Sequence, residues 1–370
     1  MNIYNKMNNI LDEIENNKKK NELISEYINK INYQFKGEPQ NLKHKLDFDF
    51  QNKCEGYNDL FEIFISYKDN KEYLAIRNCS YNYIDLYTLL DNKKILSLKG
   101  HQYYITTLRY FINNKDNNEY LITADFNFKI FVWDITNNYN IKYKISNFWN
   151  LHYEMWSLLL VFPHNNNNNY IITSSPFGNS PSHSNTQIYS LNDGQFIKYI
   201  KADCSVWYLL SWYNKKNDKY YVIQFGSNKI LINNLLEDEL YFEFRNELED
   251  KKFSGFIYSK DNNDYLCSSS SKGFIHIWDL YNKNILKTIN TNMSNQNCGL
   301  YHIIQWNSKY VIVGTQNKSF KIVDIENEKA ISEIEAHTDE VICIKKIYHP
   351  SFGESLITTS RDSTIKLWTF

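Results

Sequence analysis

From residue 57 to the end, short apolar runs alternate with turns rich in Asn and Asp, a spacing that predicts antiparallel strands in a repeating unit. The last copy is the clearest. Val341 to Lys346, Ser355 to Ser360 and Thr364 to Trp368 read as three strands, separated by a turn near His349-Pro350 and the polar turn Arg361-Asp362-Ser363. Upstream, a polar turn followed by Tyr and an apolar run recurs at Tyr73, Tyr120, Tyr170, Tyr220, Tyr265 and Tyr310. A second series, at third-strand ends, falls at Tyr87, Trp133, Tyr189, Asn233, Trp278, Val323 and Trp368, spaced by 44 to 46 residues with one interval of 56. Two series in one phase predict seven copies of a single unit.

The first 35 residues follow another period. Ile3, Met7, Ile10, Ile14, Asn17, Asn21, Ile24, Ile28, Ile31 and Phe35 step 4-3-4-3, the spacing of a coiled-coil seam, and the flanks alternate charge. Residues 1–35 are therefore expected to be a helical extension, weakened in the middle by the two asparagines. Three readings are open: one or two amphipathic helices lying on the rest of the chain or fraying in solvent, a helix that self-associates or docks in a partner's groove, or disorder. Its candidate interface is Ile3, Met7, Ile10, Ile14, Ile24, Ile28 and Ile31. Residues 36–42, with Gly37 and Pro39, break any helix and read as a linker; Leu46, Phe48 and Phe50 then alternate with Asp47 and Asp49 as a half-buried strand.

The last copy also carries a structural chemistry. His337 before the first strand, Thr358 in the second, Asp362 in the turn and Trp368 in the third are placed to form one hydrogen-bonded chain, in which the buried indole N–H needs an acceptor. That set resembles the tetrad of the WD-repeat β-propeller family. The resemblance implies an all-β, seven-bladed propeller over residues 43–370, with four strands in each blade. Since the chain ends just after a third strand, residues 43–50 are expected to supply the fourth, a clasp that closes the ring. The pattern is degenerate elsewhere: Gly100-His101 and Ala336-His337 alone keep the histidine, while Asn127 in the second blade and Lys272 in the fifth stand where Asp362 stands in the last.

In such a fold the loops before first strands and the turns between strands two and three share one rim, and the remaining turns share the other. The first rim is expected to carry the insertion 176–185 and the candidate partner-binding aromatics Trp156, Trp207 and Tyr301, which either anchor a peptide at the channel mouth or pack between blades. The acidic run 237–250 reads as a solvated outer strand or a docking surface for a basic partner. Thr136 and Tyr281 follow the Trp-Asp pairs where ubiquitin-ligase substrate receptors carry arginine, so that role gains no support.

Composition narrows the classes. Aromatic residues make up 16% and favour strands over disorder, and a formal net charge of −1 gives no reason to expect nucleic acid or an anionic membrane. The six cysteines form no CxxC pair, no apolar run is long enough to span a bilayer, and no nucleotide, hydrolase or metalloprotease motif occurs. The expectation is a cytoplasmic protein, the nucleus left open, with no catalytic residue, metal or cofactor: a non-catalytic scaffold binding other subunits of a complex. A peptide-motif receptor and a propeller enzyme are the alternatives.

Overall fold

The computed structural model describes residues 35–49, 61–66, 71–78, 82–113, 118–146, 155, 157–164, 168–174, 186–200, 202, 204–245, 250–292 and 298–370. All but the last residue of the helical extension expected over residues 1–35, together with Trp156 and the insertion 176–185, lie outside them.

Seven four-stranded antiparallel sheets make a seven-bladed β-propeller. Six blades are consecutive in sequence, over residues 61–98, 105–145, 157–200, 206–245, 252–290 and 300–335. The seventh takes Val341–His349, Gly353–Ser360 and Thr364–Thr369 from the end of the chain, and Lys43–Asp49 is its outer strand, antiparallel to Thr364–Thr369.

Burial explains the hydrophobic pattern. Second and third strands lie between two neighbouring blades, so both faces are covered: every residue of Glu119–Asp125 and Ile130–Asp134 is buried. Outer strands keep one wet face, and Asn140–Ile145 alternates exposed and half-buried positions until Ile145. The core is consequently a set of seams between blades. In blade 2, Tyr120, Ile122, Ile130 and Val132 face blade 3, whereas Leu121, Phe131 and Trp133 face blade 1. Leu74, Ile76 and Leu89 of blade 1 pack with Cys343, Ile357 and Leu367 of blade 7 and close the ring. Burial against both neighbours is the main stabilising term.

The register corrects one member of the tyrosine series. Tyr120, Tyr170, Tyr265 and Tyr310 each lie opposite the residue that follows the third-strand marker, and in blade 4 the residue so placed is Tyr221, opposite Asn234. Tyr220 points the other way, because a one-residue step reverses the face of a strand.

The beginning of the described chain is docked. Phe35 is buried and meets Trp306 edge-on at 4.6 Å, so the 4-3 stripe does not continue as a helix through Phe35. The fully buried Trp306 donates its indole N–H to the Gly37 carbonyl at 2.7 Å, and the Asn307 amide donates to the Phe35 carbonyl at 3.2 Å. The Lys36 and Gly37 amides donate to the Glu354 carboxylate at 2.7 to 3.1 Å. A Cβ on Gly37 would meet the far end of the exposed Phe370 ring, which would have to turn aside. After the 3-10 turn Pro39–Asn41 the chain enters its strand.

Candidate interaction surfaces

The first rim is stiffened by side-chain chains that run from loop to turn to strand. In blade 7 the four residues marked in the sequence meet: His337 Nδ1 lies 3.2 Å from Asp362 Oδ2, His337 Nε2 lies 2.8 Å from Thr358 Oγ1, and Trp368 donates its indole N–H to Thr358 Oγ1 at 2.8 Å. Burial alone pushes the Asp362 carboxyl up. Hydrogen bonds from His337, Thr364 and the Thr338 amide outweigh it and hold the group well below the ordinary carboxylate range.

Blade 2 has the same chain with a displaced acid. His101 Nδ1 lies 2.9 Å from Asp125 Oδ2, its Nε2 lies 2.7 Å from Thr123 Oγ1, and Trp133 donates to Thr123 Oγ1 at 2.8 Å. Asn127, which stands where Asp362 stands, is not the partner; Asp125 reaches back from the strand end, and its other oxygen caps the turn by accepting the Asn127 and Lys129 amides, both at 3.0 Å. Blade 5 inverts the arrangement. Buried Asp250, in the loop before the first strand, accepts from the Lys272 amide and Ser271 hydroxyl of the turn, both at 3.0 Å, while Trp278 donates to Ser268 at 2.9 Å. The signal for Asp250 was present as the last acid of the run 237–250. Within that run Glu237 pairs with Lys219, Asp238 with Lys198 and Glu243 with Arg245.

The aspartate that follows the third-strand marker has its own task on the opposite rim. Asp134, Asp279 and Asp324 each accept the backbone amide three residues on, at 2.8 to 3.0 Å, and the side-chain amide of that same asparagine, Asn137, Asn282 or Asn327, at 2.7 to 2.9 Å. An Asp-x-x-Asn turn thus fixes the entry to the outer strand.

A second set of stitches, which sequence reasoning missed, joins neighbouring blades on that opposite rim. The residue before the recurrent tyrosine is Glu119 in blade 2, Tyr220 in blade 4, Asp264 in blade 5 and, by register, Glu354 in blade 7. Buried Glu119 accepts from Ser66 of blade 1 at 2.8 Å and from Tyr110 at 2.7 Å. The Tyr220 hydroxyl lies 2.6 Å from His164 Nδ1 of blade 3. Asp264 accepts from Trp212 of blade 4 at 2.9 Å, from Ser259 at 2.6 Å and from Tyr281 at 2.8 Å. Burial raises the Asp264 carboxyl, but those three donors bring it below its ordinary value. In blade 7 the same position, Glu354, grips Lys36 and Gly37. The sequence signal is the acid preceding tyrosine in Asn118-Glu119-Tyr120 and Asp264-Tyr265, which reads as turn chemistry alone.

Of the three candidate mouth aromatics, Trp156 lies outside the described residues, and neither Tyr301 nor Trp207 is fully exposed. Tyr301 is buried, its hydroxyl donates to Glu340 of blade 7 at 2.8 Å, Gln316 donates to it at 3.2 Å, and Glu340 pairs with Arg361 at 3.0 Å. Burial first, and then Glu340, pushes the Tyr301 phenol up. Trp207 is half-buried on the inner strand of blade 4, with the Lys251 ammonium 5.8 Å from its ring centroid. Elsewhere on the first rim, Tyr103 and Tyr104 are exposed in the loop before the inner strand of blade 2, and Tyr104 lies 4.6 Å from Phe126 of the tetrad turn. Buried Arg77 of blade 1 supports that loop by donating to the Ile105 carbonyl at 2.6 Å; desolvation lowers its pKa to about 10, opposed by Tyr104. Among the described residues no group of three or more His, Cys, Asp or Glu is placed to hold a metal ion.

Comparison with known proteins places this geometry. The family model of the WD domain, G-beta repeat, matches residues 92–134 and 328–369, the two stretches that contain the complete His101 and His337 chains. No curated protein matches the sequence. Among solved structures, two crystal structures of BBS1N in complex with ARL6DN, one soaked with mercury and one with lead, are similar at a TM-score of 0.65 and 11% identity, over 89% of this chain and 96% of theirs. Likeness at that identity concerns the fold alone. Two matched repeats, each with its full tetrad, set in a ring of seven four-stranded blades, make the chain a member of the WD-repeat β-propeller family.

Proposed function

We propose that this propeller is a non-catalytic scaffold that holds other proteins in fixed geometry within an intracellular complex. The observation that carries the reading is the aromatic platform on the first rim. Tyr103 and Tyr104 are large, rigid side chains exposed beside Phe126, on a loop held from three sides by Arg77, His101 and the Asn82 amide. Tyrosines presented on a rigid support lose little entropy when a partner covers them, which is the economy of an interface hot spot. The two BBS1N neighbours were solved with a protein bound, in keeping with a propeller serving as a docking platform, although 11% identity transfers no partner.

The peptide-receptor alternative loses ground because the Tyr301 hydroxyl is committed to Glu340. An enzyme would need acid–base groups facing a cavity, whereas His101 and His337 are enclosed in their tetrads.

The test is mass spectrometry of proteins that co-purify with the full chain at native expression level, against Tyr103→Ala/Tyr104→Ala. Loss of a stoichiometric partner with unchanged melting supports the platform. An identical partner set in both samples sinks it, and Trp207→Ala in the same assay addresses the channel mouth.

A further inference from the structure

The seam between blades 3 and 4 departs from the others. Three residues before the third-strand markers stand Ile84, Ile130, Thr186, Ile230, Ile275, Phe320 and Ile365, all buried. The isoleucines and the phenylalanine each pack in the seam with the following blade, and blade 3 alone puts a hydroxyl there. Register sets Thr186 opposite Ser174 and Ser174 opposite Ser157, so the three share one face of the sheet at its first-rim end. That face looks towards blade 4, since Ile172 and Ile188, two residues along the same strands, pack with Val206 and Val222. Blade 4 answers with Gln224, whose Oε1 accepts from the Thr186 hydroxyl at 3.1 Å. In blades 2, 5 and 7 a tryptophan donates to a hydroxyl at Thr123, Ser268 or Thr358; the corresponding pair in blade 4 is Asn233 and Gln224.

Ser157, Ser174, Thr186 and Gln224 are each at most 1% exposed. Among the described residues, Ser157 Oγ, Ser174 Oγ and Gln224 Nε2 have no hydrogen-bond partner, and neither has the buried Asn233 Nδ2. A polar group taken out of water must recover its hydrogen bonds elsewhere, so four such atoms in one seam call for a polar occupant. We propose that the nest formed by Ser157, Ser174 and Gln224 binds internal water. The chemistry suits it: water accepts from the Gln224 amide and exchanges hydrogen bonds with the two serine hydroxyls, reaching the three partners that a buried water ordinarily has. Lys229, in the same strand as Asn233, is paired with Glu243 at 3.5 Å, so the nest offers hydrogen bonds without a charge for an ion to balance. Room comes from the same substitutions, a threonine in place of isoleucine and an asparagine in place of tryptophan. Water thus completes the first-rim end of this seam, as the histidine chains do in blades 2 and 7. The proposal is independent of the Tyr103 and Tyr104 platform.

The test is water-oxygen magnetic relaxation dispersion of the full chain, which counts water molecules held longer than the protein takes to tumble, with thermal melting alongside. The variant is Ser157→Ala/Ser174→Ala, which removes two of the water's partners and breaks no side-chain bond between described residues. Expected are a dispersion amplitude below native by the contribution of at least one water and a lower melting midpoint. A midpoint above native overturns the proposal, because deleting hydroxyls that were buried dry relieves a penalty. So does an amplitude equal to native. A crystal structure of the native chain gives a second readout. Water density within hydrogen-bond distance of Ser157 Oγ, Ser174 Oγ and Gln224 Nε2 supports the site, whereas a seam closed by direct bonds among these side chains, or filled by a buffer ion, overturns it.

Discussion

The His101 imidazole and the Asp125 carboxylate meet at 2.9 Å, both side chains fully enclosed, although Asp125 lies two residues ahead of the position that the acid holds in blade 7. One carboxylate there serves the histidine with one oxygen and the turn amides with the other. Asp125→Ala should therefore leave three buried or half-buried donors unsatisfied and destabilise the protein by roughly 2 to 4 kcal/mol, while Asn127→Ala should cost under about 0.5 kcal/mol. Denaturant titration of both variants checks this; equal costs would return the role to Asn127.

Asp362 sets an acid limit. Its folded pKa lies below the ordinary value near 3.9, so in acid the unfolded chain binds the proton first. The stabilisation is complete above about pH 4 and is lost as pH falls from there towards the folded value. Asp362→Ala should cost roughly 1 to 3 kcal/mol at neutral pH. That difference from native should shrink steadily between about pH 4 and pH 2. A difference independent of pH would mean that the carboxylate is not held in ionised form by His337 and Thr364.

The docked strap ties the beginning of the chain to blades 6 and 7. Trp306→Ala removes a fully buried indole and its bond to Gly37, and should cost about 3 to 5 kcal/mol. Gly37→Ala should cost far less, because the new methyl group meets only the exposed ring of Phe370, which can turn aside. Deleting residues 1–34 should leave the ring folded, whereas deleting 1–50 removes the outer strand of blade 7 and should produce aggregation. Similar melting curves for the two truncations would show that the strand is dispensable.

The stitches on the other rim are tested at Asp264. Asp264→Ala strips the shared acceptor from Trp212, Ser259 and Tyr281 and should cost about 2 to 4 kcal/mol, nearly the same as the double variant with Trp212→Phe, since partners in one network do not add. Simple additivity of the two would show that Trp212 and Asp264 act separately.

The sequence by itself determined the ring. Strand periodicity and the 44-to-46-residue repeat are local properties, each copy can bury its faces only against another like it, and seven third-strand markers became seven sheets. The same reasoning explains its slips. Choosing Tyr220 over Tyr221 is a one-residue error in a run of two tyrosines, which only the register with Asn234 resolves. Which acid reaches His101, that Asp250 caps a turn 21 residues away, and that Glu119 and Asp264 bind side chains from the preceding blade were decided by tertiary structure. So was the fate of Phe35, which continues a helical stripe on paper but buries its ring against Trp306, 271 residues on. The physical reason is common to all of them. A hydrogen bond or a ring contact depends on where side chains converge in space, and spacing along a chain carries that information only within one strand and its turn.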